Sequence, residues 1–224
     1  MSNSINKLDN ININESTNVV HLLGTILDTP VYSHTYDDIR YYSVRLKVNR
    51  NNNNNNKYDN IHVFLPEIHL VIDSKILDNG VRIKVLGRLV QSELRDMSDI
   101  SVVADEVSLA ELDSKDENQI YISGVIHRLY ELHSIKDTQK VLKQMILKHT
   151  TITEKGPRNL TVKASCWNNT GKLVDEKYHE GDKIMIRGQL LSKLVKAKNS
   201  TDKQNSTVML HEANVAVIID LNND

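Results

Sequence analysis

A single cysteine, Cys166, stands in 224 residues, which excludes an intramolecular disulfide and any CxxC metal knuckle and is the usage expected of a reducing cytoplasm. Three prolines and eight glycines leave no room for a Gly-rich cofactor architecture. Neither the phosphate-cradling GxxxxGK[ST] nor the GxSxG elbow occurs. The nine histidines show no HxxxH or HExxH spacing, so no metal site and no cofactor are expected. No apolar run reaches the roughly 18 to 20 residues of a membrane span, and the Asn-rich opening lacks the apolar core of a signal peptide. We therefore expect a soluble, cytoplasmic protein. Charge of one sign is missing too: the net formal charge is −1, which excludes a strongly basic coat but permits a local basic groove.

Apolar residues at 39% and charged residues at 25% suit a globular chain, long enough for two domains of about 100 residues. The outlier is asparagine, with the unbroken run Asn51 to Asn56. Such a run buries nothing against its ordering entropy and reads as a mobile loop that tolerates insertion.

The chain repeats itself with a period near 100 residues. Asn18-Val19-Val20-His21-Leu22-Leu23-Gly24-Thr25-Ile26 lies over Asn118-Gln119-Ile120-Tyr121-Ile122-Ser123-Gly124-Val125-Ile126, glycine on glycine. Gly80 to Leu89 lies over Gly181 to Leu190, and Val102 to Val107 lies more loosely over Leu210 to Val215. Period-2 alternation gives strands near 19–28, 39–49, 58–66, 81–91 and 100–109 in copy one, and near 120–129, 140–150, 159–167, 183–194 and 206–219 in copy two. A short helix is expected after the third strand of each copy, near Glu67 to Leu77 and Lys172 to Tyr178. Five strands with a helix after the third is the order of an OB fold, a five-stranded Greek-key barrel. Glycine at Gly24, Gly87, Gly124 and Gly188 suits strands that bend sharply or accept a close neighbour. The fold class expected is thus all-β with short helices, as two tandem OB folds: a disordered N-terminal segment over 1–17, domains over 18–112 and 118–224, and a polar linker over 113–117.

The opening strand with its central glycine, the phrase Gly181-Asp182-Lys183-Ile184-Met185-Ile186-Arg187-Gly188-Gln189-Leu190, and the run Val103-Ala104-Asp105-Glu106-Val107 that closes copy one together resemble the bacterial and phage single-stranded DNA-binding protein family. The resemblance covers nearly the whole chain beyond the first 17 residues. It implies non-catalytic, largely sequence-independent binding of single-stranded DNA in replication, recombination or repair, and a homodimer presenting four OB folds. Members that recruit partners end in an acidic tail with a terminal Pro-Phe, whereas this chain ends Ile219-Asp220-Leu221-Asn222-Asn223-Asp224. Recruitment through such a tail is not expected.

On the third strand of copy one, alternation sends Ile61, Val63 and Leu65 inward and leaves Tyr58, Asn60, His62 and Phe64 on the other face. In copy two, Leu160, Val162, Ala164 and Cys166 face inward, and Thr161, Lys163, Ser165 and Trp167 outward. The only Phe and the only Trp thereby land at equivalent ends of equivalent strands, where the family places a base-stacking aromatic. Tyr58 matches the family's other stacking position, which Thr161 occupies in copy two. On the second strand, Tyr41, Arg45 and Lys47 share the outward face, and copy two offers Lys143 and Lys148. Arg88 and Arg187 on the fourth strands complete the candidate contacts.

The first 110 residues hold 11 basic against 14 acidic side chains, and the rest 17 against 15. Copy two's fourth-to-fifth connection carries Lys193, Lys196, Lys198 and Lys203, a basic loop suited to a phosphate backbone, while the equivalent Ser92 to Asp99 is acidic. Copy one is expected to stack bases and copy two to supply charge. Against each functional reading stands a bland one: aromatics packed under a loop, or charges on a solvated strand face. A nucleophilic Cys166 is not expected, since its parity is inward. Two alternatives stay open, an OB-fold adaptor that binds protein partners, and RNA in place of DNA.

Overall fold

The computed structural model describes residues 14, 16–50, 57–94, 97–154, 156–196 and 207–222. The expected N-terminal segment lies outside these residues except for its last few, as does the asparagine run; Thr17, however, is buried, and its carbonyl accepts the Ser123 N–H at 2.9 Å.

Among the described residues the strands, in chain order, are β1 (Asn18–Ile26), β2 (Val31–Tyr36), β3 (Ile39–Asn49), β4 (Tyr58–Pro66), β5 (Val71–Ile72), β6 (Lys75–Ile76), β7 (Arg82–Leu94), β8 (Met97–Leu109), β9 (Glu117–Leu129), β10 (His133–Ser134), β11 (Val141–Thr153), β12 (Gly156–Trp167), β13 (Lys183–Lys196) and β14 (Thr207–Asp220), with one α-helix, α1 (Asn168–Lys177). In copy one the ring runs β1, β3, β4, β8, β7 and back to β1, closed by the parallel pairing of Val63 with Val102. Copy two closes in the same order through β9, β11, β12, β14 and β13, with Ala164 beside Ala213 in parallel. Each ring is an OB barrel, its inward alternate residues forming the core. Among the described residues, no helix is long and apolar enough to cross a membrane.

The two barrels join edge to edge through β1 and β9, antiparallel, with Asn18 opposite Ile122, Val20 opposite Ile120, and Leu22 opposite Asn118. Given the repeat, this register is its own mirror image, the signature of a local two-fold axis beside Val20 and Ile120. Side chains obey the same symmetry. Asn18 bonds the Leu89 backbone through both amide atoms, each at 2.9 Å, and Asn118 does the same to Leu190 at 2.8 and 2.9 Å. Buried residues of both copies form one continuous apolar cluster.

The copies differ after the third strand. In copy two, α1 plugs the barrel end with Val174, fully buried. In copy one the expected helix is absent: a single 3₁₀ turn over Glu67–His69 leads into the β5–β6 hairpin, whose turn residues Asp73 and Ser74 have φ of 49° and 64°. β-Branched Ile68, Val71 and Ile72 disfavour helix, and a turn with two left-handed residues matches the twist of a hairpin. Leu77, at the end of this segment, is buried in the core, as Val174 is in copy two.

Candidate nucleic-acid interface

The outward face of β3 and β4 carries the aromatic set, but not all of it is open. Tyr58, at the start of β4, is 44% exposed, with the Lys47 ammonium 4.8 Å from its ring centre; the pair offers a stacking surface and a phosphate-binding charge side by side. Phe64 is half-buried, meeting His62 and His34 edge-on at 4.6 and 5.1 Å. Tyr41 departs from expectation: its parity is outward, yet it is 8% exposed, because His34 of β2 stacks on it at 5.1 Å and 10°. His62 is held rather than free. Its ring nitrogens engage the Ser43 hydroxyl at 2.6 Å and the Ser101 hydroxyl at 2.9 Å, and burial, with His211 nearby, holds its pKa below the ordinary value.

Several expected phosphate ligands are already paired. Arg45 forks onto Asp28 at 2.5 and 2.7 Å, and that hydrogen bonding holds the Asp28 carboxyl below its usual range. Arg88 pairs with Asp105, and Lys193 with the buried Glu212. Lys143 is a correction of face: Lys143, Met145 and Leu147 are the inward residues of β11, and the ammonium escapes to Asp175 of α1 at 2.5 Å. Lys148 and Lys163 lie on the opposite face of β11 and β12, exposed and diagonal to each other across the strand pair, and Arg187 is exposed on β13. Trp167 is half-buried where β12 passes into α1. The strand of Lys196 is described but not its side chain, and Lys198 and Lys203 lie outside the described residues. The expected acidic loop of copy one is also corrected at its end, since Asp99 is buried and bound to His211.

Each long hairpin reaches across to the other barrel. Gln91 accepts the Thr161 N–H at 2.8 Å, and Ser192, its counterpart, accepts the Asn60 N–H at 3.0 Å. His211 of copy two reaches the Asn60 carbonyl at 2.8 Å and Asp99 at 2.9 Å. A cleft of about 580 Å³ opens between the copies, lined by Tyr36, Arg88 and Gln91 from one and by His149, Thr151 and Arg158 from the other. At its mouth the Arg158 guanidinium lies 4.5 Å from the Tyr36 ring centre and donates to the Tyr36 hydroxyl.

Sequence reasoning passed over Tyr36, His34 and Arg158. The signal for the first two was present: Val31 to Tyr36 is aromatic and β-branched, and Asp37-Asp38, with φ of 50° and 60°, is a turn pair of the kind that closes a hairpin. Arg158 has no local signal, because its partner is 122 residues away. Cys166 is fully buried, and burial pushes its thiol up to about 12, so it stays protonated and is no nucleophile.

No protein-family model matches the chain, and no curated protein matches it. Among solved structures it is similar to the wild-type single-stranded DNA binding protein from Thermus aquaticus, with a TM-score of 0.70 at 16% identity over 94% of this chain and 96% of the other. A deletion variant of that protein matches with a TM-score of 0.69 at 17% identity over 93% and 96%. The likeness extends over both barrels and establishes the fold.

Proposed function

We propose, with that shared fold as the premise, that the chain is a non-catalytic binder of single-stranded DNA that takes unpaired strands with little sequence preference. The observation that carries the reading is the exposed Tyr58 with the Lys47 ammonium over its ring, on the same face as half-buried Phe64. A stacked base contributes about 1 to 3 kcal/mol whatever its identity, and a neutralised phosphate releases counterions. Lys148, Lys163 and Arg187 extend the charge onto copy two, and the cleft between Arg88 and Arg158 supplies a path from one barrel to the other. The surface pairs Arg45–Asp28 and Arg88–Asp105 are worth little in water, so a phosphate can displace either carboxylate. We further propose a homodimer presenting four barrels, acting where replication, recombination or repair leaves single strands in the cytoplasm. RNA enters the same groove only if the 2′-hydroxyl fits beside the stacking face.

The single tryptophan makes the test direct. Oligo-dT is titrated into the protein while Trp167 emission and the anisotropy of a labelled oligonucleotide are followed, and salt is then raised. Binding that salt reverses, and that Phe64→Ala weakens by roughly tenfold or more, is the expected result. The paired state of Arg45, Arg88, Lys143 and Lys193 favours the second reading, an adaptor that binds protein. Unchanged anisotropy with any single strand decides for it.

A further inference from the structure

The described arginines of copy one come with carboxylates: Arg40, Arg45, Arg50, Arg82 and Arg88 each form an ion pair. Arg158 of copy two is placed differently. Among the described residues no ion pair ties it to a carboxylate; its guanidinium lies on the Tyr36 ring of copy one and donates to the Tyr36 hydroxyl. Strand parity explains the placement. Arg158 shares the alternation of Leu160 and Val162, which are buried, but so near the start of β12 that phase points into the cleft between the copies. Thr151, its cross-strand neighbour, and His149, opposite Leu160, line the same cleft. The cleft's volume of about 580 Å³ falls within the range of ligand sites, roughly 300 to 1,000 Å³. Its charges balance, Arg88 and Arg158 against Asp37 and Glu154, which suits an uncharged planar group better than a phosphate. Tyr36 also prolongs the stacking face of copy one. Phe64 meets His34 edge-on at 5.1 Å, and Tyr36 follows His34 by two residues in the same phase of β2, about 7 Å further along.

We propose that Arg158, seated on Tyr36, is a base-stacking platform at which the bound strand passes from copy one to copy two. This rests on the single-strand reading and deepens it, adding two residues to the face that begins at Tyr58 and Phe64. One side of the guanidinium lies on the tyrosine ring; the other, in a residue that is exposed, receives a base, because guanidinium planes stack on bases as aromatic rings do. Contact with Tyr36 orients the plane before the base arrives, which lowers the cost of ordering a long side chain on binding. The base enters the cleft, and its phosphates stay on the solvent side, away from Asp37 and Glu154. Beyond the platform stands the β11–β12 hairpin, whose other face carries the exposed Lys148 and Lys163.

The experiment compares oligo-dT of about 8 nucleotides, within the span of one OB fold, with oligo-dT of about 30, enough for two, by anisotropy on the full chain. Arg158→Ala is expected to weaken the long strand by roughly tenfold and the short one by much less. The dependence of log affinity on log salt stays as it was, since no phosphate contact is lost. Arg158→Lys, which keeps the charge and loses the plane, is expected to match Arg158→Ala, and it carries the test alone if Arg158→Ala does not fold. A loss equal at both lengths, a flattened salt dependence, or full affinity in Arg158→Lys overturns the platform while leaving single-strand binding intact. Unchanged affinity with a lowered urea midpoint overturns it too, and marks the pair as a clasp that holds the copies together. Failure of both lengths to bind the unaltered protein overturns the single-strand reading, and the platform with it.

Discussion

Both ring nitrogens of His211 face acceptors, the Asp99 carboxylate on one side and the Asn60 carbonyl on the other. A ring so placed donates from both nitrogens only when it is protonated. Burial works against that charge, but the Asp99 bond and the Asn60 carbonyl prevail, and the pKa of His211 lies above its ordinary value. Stability from this pair is therefore present in full below the unfolded pKa, about 6.5, and is lost as pH rises through the folded one. His62 and His149 act in the opposite sense: burial lowers both, so each costs stability as pH falls below about 6.5. The two effects separate in a comparison of mutants. Urea melts of the protein and of His211→Gln across neutral pH will show the gap between them narrowing as pH rises, and a gap independent of pH would contradict the assignment.

Elements declare themselves in sequence when one residue pattern serves one environment. The five long strands of each barrel follow alternation to within a few residues, because one face of each is core. Gly87 and Gly188 sit at equivalent β-bulges, where the register shifts beside Leu86 and Arg187. A β-carbon at Gly188 would press on the Asn214 carbonyl oxygen, and backbone is the neighbour least able to yield. Gly188→Ala is accordingly expected to lower stability by about 1 to 3 kcal/mol or more, read as a drop in the urea midpoint at unchanged slope. What sequence hid was of another kind. Alternation places Tyr41 outward correctly and still misses its burial, since the cover comes from β2. Lys143 reads as an available cation until α1 brings Asp175 over it, and the helix of copy one fails because hairpin-forming residues occupy its place. Charges found by counting are likewise not charges available: Arg45, Arg88 and Lys193 each look free in a linear reading, and each has a carboxylate waiting in the fold.

At the scale of the molecule, the division expected between a stacking half and a charged half is only partly drawn. Copy one carries Tyr58 and Phe64, and the exposed cations Lys148, Lys163 and Arg187 belong to copy two, but copy one also keeps Lys47 beside Tyr58, and the cleft lined by Arg88 and Arg158 spans both. Binding should consequently draw on the whole chain, with the β13–β14 hairpin contributing a share. Replacing Lys193, Lys196 and Lys198 together by Gln will flatten the dependence of log affinity on log salt by about 0.7 for each phosphate that is no longer neutralised. Lys193, tied to Glu212, is expected to account for the smallest part. An unaltered slope would remove this hairpin from the interface.

The mirrored register of β1 against β9 has one more consequence. Two identical barrels could associate through that edge and would part on dilution. Here one polypeptide carries both, so the partner is always present at an effective concentration in the millimolar range typical of short tethers. Neither edge is left open to recruit a stranger. Because the halves need no longer be copies, each side of the axis has been free to drift: a helix on one, a hairpin on the other, and a pocket of which each half makes only a part.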